Sequence, residues 1–201
     1  MPRASAAVTT QRTHPPVAPG RRRWLQAALA AGLAGGWGLP GLAPAASAAA
    51  TLLTGRVLAV QDGDTFELQT ADGRRLRIRI AAIDAPERRQ RFARRSREHL
   101  RELLLGHPVS VTVLKTDRYG RLIADVRSDE RDVGLAQLEA GLAWHFRRYA
   151  VEQPSAQRRV FELTEQRARQ RRAGLWRDDT PVAPWQYREQ ARVNPRVRAP
   201  A

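Results

Sequence analysis

Thr65-Phe66-Glu67-Leu68-Gln69-Thr70, then Ala71-Asp72-Gly73, then Arg74-Arg75-Leu76-Arg77-Ile78-Arg79-Ile80 is the run from which the architecture follows. Its second half alternates apolar and basic residues with period two, which puts Leu76, Ile78 and Ile80 on one face of a strand and Arg75, Arg77 and Arg79 on the other. Asp72-Gly73 is turn chemistry, because Asp bonds its own backbone and Gly accepts positive φ. A hairpin is the result. Pairing Thr70 with Arg74 sets Phe66 opposite Ile78 and Leu68 opposite Leu76, keeping both apolar sets on one face. The same register sets Asp64 opposite Ile80, with Asp84 a little further along that strand, so both acids lie at one end of the hairpin. At about 3.4 Å per residue the remaining offset is roughly a dozen ångströms, and bending of the strand must close it.

Before this hairpin, Leu53 to Val60 reads as another strand, with Asp62-Gly63 as the turn into Thr65. Beyond Glu87, the residues Phe92, Ser96, Leu100 and Leu103/Leu104 recur at helical spacing, with Arg94, Arg95, Arg97 and Arg101 elsewhere around the cylinder; Gly106 and Pro108 stop the helix. Val109 to Leu114 alternates as a strand, Tyr119-Gly120 turns, and Leu122 to Val126 is a further strand. A second helix runs from Val133 to Ala143, ending near Gly141, and a third from about Ser155 to Ala173, ended by Gly174. Five strands with a helix after the third and two helices at the end predict an α+β, mainly β, architecture: a small closed barrel with helices packed on it rather than a parallel sheet. No internal repeat is visible.

The first part of the chain differs in kind. Gly20-Arg21-Arg22-Arg23-Trp24-Leu25-Gln26 resembles a twin-arginine export signal, with Gly20, Trp24 and Gln26 in place of the usual residues. A weakly apolar stretch from Ala27 to Ala43 follows, diluted by glycines and Pro40, and Ala46-Ser47-Ala48 offers a small-residue cleavage site. Those glycines argue against a transmembrane anchor, which needs about twenty predominantly apolar residues. A cleaved signal over 1–48, a domain over 49–176 and a flexible basic tail rich in Pro and Arg over 177–201 are therefore expected, although Trp185 and Tyr187 are able to dock back on the domain. The mature protein is expected to be exported, periplasmic or secreted, monomeric and without stable membrane association.

The absence of cysteine from the 201 residues excludes disulfides, thiolate metal sites, cysteine nucleophiles and lipoprotein anchoring. The net charge is +15, and the segment before Ala49 contributes five arginines and no acid, leaving +10. A field of that sign favours nucleic acid first and an anionic membrane surface second. Lys115 is the only lysine, so the positive charge is nearly all guanidinium, a group suited to bidentate phosphate contact.

Three acids stand out: Asp64 in Asp62-Gly63-Asp64-Thr65, then Asp84 and Glu87 in Ile83-Asp84-Ala85-Pro86-Glu87. Each cluster taken alone is also ordinary turn or strand-end chemistry. Together, two carboxylates at a strand end make a hard-oxygen site suited to calcium or magnesium, not to zinc or copper. His99, His107 and His145 lack paired spacing and read as structural, Trp144 and Trp176 as packing residues, and the arginines of the first helix as a solvated face able to add phosphate contacts.

Asp62-Gly63-Asp64-Thr65, Arg79-Ile80-Ala81-Ala82-Ile83-Asp84-Ala85-Pro86-Glu87, Asp117-Arg118-Tyr119-Gly120-Arg121, Gly141-Leu142-Ala143-Trp144 and Gly174-Leu175-Trp176 resemble, in order and spacing, the staphylococcal nuclease family. The resemblance implies a five-stranded OB-fold barrel with three helices and calcium-dependent hydrolysis of DNA and RNA, single strands preferred, to 3′-phosphate products. Carried over by position, it makes Asp64, Asp84 and the carbonyl of Ala85 the calcium ligands, Glu87 the base that activates water, Arg79 and Arg121 the phosphate-binding arginines, and Tyr119 and Tyr149 contacts to the nucleotide. Two departures are visible: Ala85 where the family often has threonine, and Arg88-Arg89-Gln90-Arg91-Phe92-Ala93 in place of a longer loop or a different turn. The alternatives are a barrel that binds single-stranded nucleic acid without cutting it and a basic membrane-surface protein. Loss of Asp64, Glu87 or either arginine would have marked the first, and a helix with a large apolar face the second.

Overall fold

The computed structural model describes residues 51–194. The expected export segment and residues 195–201 lie outside them. Among the described residues, eight strands and four α-helices follow one another as β1 (Thr51–Val60), β2 (Thr65–Thr70), β3 (Arg75–Ile80), β4 (Ile83–Asp84), α1 (Ala93–Leu104), β5 (Val109–Thr116), β6 (Leu122–Ser128), β7 (Arg131–Asp132), α2 (Val133–Glu139), β8 (Trp144–His145), α3 (Ser155–Gln170) and α4 (Pro184–Val193). The hairpin register is the expected one: Phe66 pairs with Ile78 and Leu68 with Leu76, and the Ile80 N–H donates to the Asp64 carbonyl at 2.9 Å.

The long strands pair in the order β3-β2-β1-β5-β6, and a parallel pairing of β3 with β6 closes the ring. This is the five-stranded OB-fold barrel. Register shifts between Val57 and Ala59 and between Val113 and Lys115 give β1 and β5 the local bend that closure requires. Inside lie Phe66, Leu68, Ile78, Ile80, Val111 and Val126, all essentially buried, with Leu100 and Leu104 of α1 and Phe161 of α3 sealing the barrel. Each such side chain contributes about 1.5–3 kcal/mol on burial.

The segment after Arg177, expected as a flexible tail, contains an ordered helix, so the domain continues past Trp176. Pro184 occupies the first turn of α4, where its missing N–H has no helical partner to lose, and the Gln186 side chain accepts the Ala183 N–H at 3.2 Å. Trp185 packs edge-on against Trp144 at 5.6 Å between centroids, and Trp144 against Trp176 at 4.4 Å, making a second small core with Leu175 and Ala183. Gly141 and Gly174 permit this closeness. Both have positive φ, and a Cβ on Gly174 would stand 2.2 Å from the Gly141 carbonyl oxygen. Among the described residues no helix is long and apolar enough to cross a membrane.

Candidate active site

The gap left between Asp64 and Asp84 is closed by a chain reversal, not by gentle bending. The Ala81 N–H bonds Ala124 on β6, the Ile83 N–H turns back to the Ala81 carbonyl at 2.8 Å, and Ala82 between them takes φ 61°. After the reversal β4 pairs with β8, Ile83 with His145 and Asp84 with Trp144. That short ribbon is held from behind by Glu165, a buried acid on α3 that accepts the His145 N–H at 3.0 Å and the guanidinium of Arg147 at 3.2 Å.

The reversal brings the Asp64 carboxylate against the Ala85 peptide: Oδ2 accepts the Ala85 N–H at 2.9 Å, while Oδ1 accepts the Thr65 hydroxyl at 2.8 Å. Asp64 and Asp84 are both buried. Arg79 ties them together, with Nη2 2.9 Å from Asp84 Oδ1 and 3.3 Å from Asp64 Oδ2. Its Nη1 donates to the carbonyls of Ile80 and Ile83, so this guanidinium holds the reversal as well as the acids. Burial alone would lower its pKa, and the charges of Asp64 and Asp84 more than reverse that. Burial pushes the Asp84 carboxyl above its ordinary value against the opposing hydrogen bonds of Arg188. Burial and the Asp64 charge push Asp62 up to about 7.

Arg188, on α4, is a site residue that sequence reasoning missed. Its Nη2 lies 2.8 Å from Asp84 Oδ2 and its Nη1 2.7 Å from Glu87 Oε1, so a guanidinium bridges the second and third acids. The segment that departs from the family pattern fits the same arrangement. Gln90 accepts the Glu87 N–H at 2.8 Å and donates to the Val182 carbonyl at 3.1 Å, and Arg91 pairs with Asp178 at 2.6 Å. The altered turn therefore bonds the segment that leads into the last helix. The only sequence signal was Pro184 ahead of Tyr187, Arg188 and Ala191 at helical spacing.

Arg121 precedes β6, one position before the Leu122 that pairs with Ile78, so it shares the outward face with Arg79 on the adjoining strand. Asp117 takes one edge of its guanidinium, at 2.8 Å from Nε and from Nη2, and among the described residues Nη1 makes no hydrogen bond. Tyr119 stands exposed between Arg118 and Arg121. Tyr149 packs edge-on against Phe146, whose N–H bonds the Ala82 carbonyl at 2.8 Å, and Lys115 lies 4.7 Å over its ring. The structure thus links Asp64, Arg79, Asp84, Ala85 and Glu87 through shared bonds, whereas among the described residues Arg121, Tyr119 and Tyr149 bond none of them. The three histidines bond elsewhere: His99 to Gln137, His107 to Asp129 and His145 to Gln153.

Among the described residues no three acidic or imidazole side chains converge on one point. A cation here would have two buried carboxylates and the backbone beside them as protein ligands, all hard oxygen. That set fits calcium or magnesium with water or substrate oxygens completing the shell, and it excludes soft metals.

The family model described as staphylococcal nuclease homologue matches residues 77–178, from β3 to just past Trp176. A protein of Escherichia coli named uncharacterized endonuclease is 39% identical over 136 residues, covering 67% of this chain and 84% of that protein. One of the same name from Haemophilus influenzae is 30% identical over 141 residues, covering 70% and 76%. A micrococcal nuclease of Shigella flexneri is 32% identical over 143 residues, covering 67% and 79%. By that match and those identities, this chain is a member of the staphylococcal nuclease family.

Proposed function

We propose that the protein is a calcium-dependent nuclease, an exported phosphodiesterase that hydrolyses DNA and RNA by water attack on phosphorus and releases 3′-phosphate products. Nuclease activity in general is supported by the relatives, three of which are named as nucleases or endonucleases. The observation that carries the finer reading is the buried pair Asp64 and Asp84, tied by Arg79 at the end of one hairpin, with Glu87 linked to Asp84 through Arg188 and with Arg121 just ahead of the adjoining strand, its Nη1 making no hydrogen bond among the described residues.

Asp64, Asp84 and the Ala85 carbonyl would hold the ion. When bound, calcium supplies Lewis-acid stabilisation of the phosphoryl oxygens. The remaining work belongs to the side chains. Arg121, braced by Asp117, aims fixed donors at the oxygens on which charge grows. Arg79 keeps the two aspartates at a fixed separation. Glu87 takes the proton of the attacking water, a role its half-exposed position permits. Tyr119 and Tyr149 offer exposed rings to bases or sugars at the rim.

The test is hydrolysis of single-stranded DNA, duplex DNA and RNA by the purified protein, with calcium or with chelator. Cleavage with calcium, lost on chelation and fastest on single strands, is expected. No calcium-dependent cleavage of any of the three would sink the reading.

A further inference from the structure

The guanidinium of Arg188 engages both oxygens of Asp84, Oδ2 at 2.8 Å and Oδ1 at 3.3 Å, and reaches Glu87 at 2.7 Å. Arg79 holds Asp84 Oδ1 from the other side at 2.9 Å. Both oxygens of Asp84 thus accept from a guanidinium, and Oδ2 accepts from Arg188 alone. A calcium ion binds carboxylate oxygens at about 2.3–2.6 Å, so an ion on Asp84 and a guanidinium on the same carboxylate would be close like charges in a half-buried site. Arg79 cannot leave, because its Nη1 is fixed by two backbone carbonyls. Arg188 can: its side chain is 39% exposed, and it enters from the last described helix.

We infer that Arg188 is a tethered competitor of the divalent cation, so that loading of metal at Asp84 and docking of α4 oppose each other. The inference rests on the reading of Asp64 and Asp84 as metal ligands and adds a control to that site. Without metal, α4 neutralises Asp84 and pairs off Glu87, which keeps the carboxylates in place and the base engaged. With metal, Arg188 is released toward solvent. The helix itself is anchored through Trp185, which packs against Trp144 and against Phe146 at 5.5 Å, so loss of the arginine contact loosens α4 without exposing the barrel core. Binding energies are reciprocal: whatever factor Arg188 takes from calcium affinity, calcium takes from α4 docking.

The test is calorimetric titration of the whole chain with calcium chloride, no nucleic acid present. Arg188→Met should bind calcium about tenfold tighter than the wild type, with Arg188→Lys between them. Hydrogen exchange of the wild-type amides in Pro184–Val193 should rise on saturation with calcium, by a factor matching the affinity difference. Trp185→Ala, which loosens the helix without touching a carboxylate, should also tighten calcium binding, and it decides the matter if Arg188→Met does not fold. Equal affinities in all variants with unchanged exchange in α4 would overturn the competition while leaving the metal site standing. No calcium binding in wild type or variants would overturn both.

Discussion

Among the three acids, Glu87 differs in what its oxygens are doing. Both oxygens of Asp64 and both of Asp84 accept bonds from donors built into the fold, whereas Glu87 gives only Oε1, to Arg188, and its Oε2 has no hydrogen bond among the described residues. An acid with a free oxygen at the mouth of the site is the one able to receive a proton. Glu87→Gln should therefore lower the turnover rate by about 10²–10⁴, and Arg121→Ala by about 10²–10³, with melting temperature near the wild-type value in both. Unchanged turnover in either would remove that residue from its assigned role. Ala82 gives a prediction of a different kind. It holds φ 61° at the reversal that brings Asp84 back to Asp64, a conformation costing about 1–2 kcal/mol for an L residue and more for a β-branched one. Ala82→Gly should be close to neutral and Ala82→Val should cost about 2 kcal/mol or more, read from denaturant unfolding; equal effects would mean that the backbone strain is not there. The acids were legible in the sequence because they sit in turn motifs beside a strand with clear alternation. Arg188 was not: it is one of 35 basic residues, and its partner Asp84 lies 104 positions away.

At the scale of elements, the loop carrying Asp64 is positioned by two helices that the strand pattern does not reveal. Gln137, fully buried on α2, donates to the Gly63 carbonyl at 2.6 Å and to the Ser96 carbonyl at 3.1 Å, so loop, α1 and α2 share one amide. Gly63 packs so closely on α1 that a Cβ there would fall 1.8 Å from Ser96 Oγ and 2.8 Å from the Ala85 Cβ. Gly63→Ala is expected to cost about 1–3 kcal/mol, the usual penalty for an overpacked contact, and to lower activity beyond that, because one of the clashing atoms belongs to Ala85, the residue between Asp84 and Pro86. A variant that is less stable yet fully active would show that the loop relaxes away from the site. Helices, strands and hairpin register followed from periodicity and turn residues, as in Phe66 against Ile78. The reversal at Ala82 and the Gln137 amide did not, since each depends on contacts between elements far apart in the chain. The helix over Pro184–Val193 was obscured by the Pro and Arg content around it, while the energy that orders it comes from the tryptophans it meets.

At the scale of the whole molecule, the charge of +10 that remains beyond residue 48 is unevenly matched by acids. On the surface beside Glu87, Arg91 pairs with Asp178 and Arg94 with Glu98, whereas Arg88, Arg89 and Arg95 are exposed with no carboxylate partner among the described residues. A polyanion crossing the site would meet these three cations next to the base, and each phosphate they neutralise releases counterions from the strand. For a single-stranded substrate the logarithm of kcat/KM should then fall linearly with the logarithm of salt concentration, by about 0.7 for each phosphate contact. Replacing Arg88 and Arg89 together by glutamine should flatten that line by about 1.4 if both touch phosphates. Turnover at saturating substrate should stay unchanged, since neither side chain bonds the carboxylate of Asp64, Asp84 or Glu87. A line of unaltered slope would place the strand on another face, whereas a fall in turnover at saturation would mean that the two arginines act on the chemistry and not on the approach.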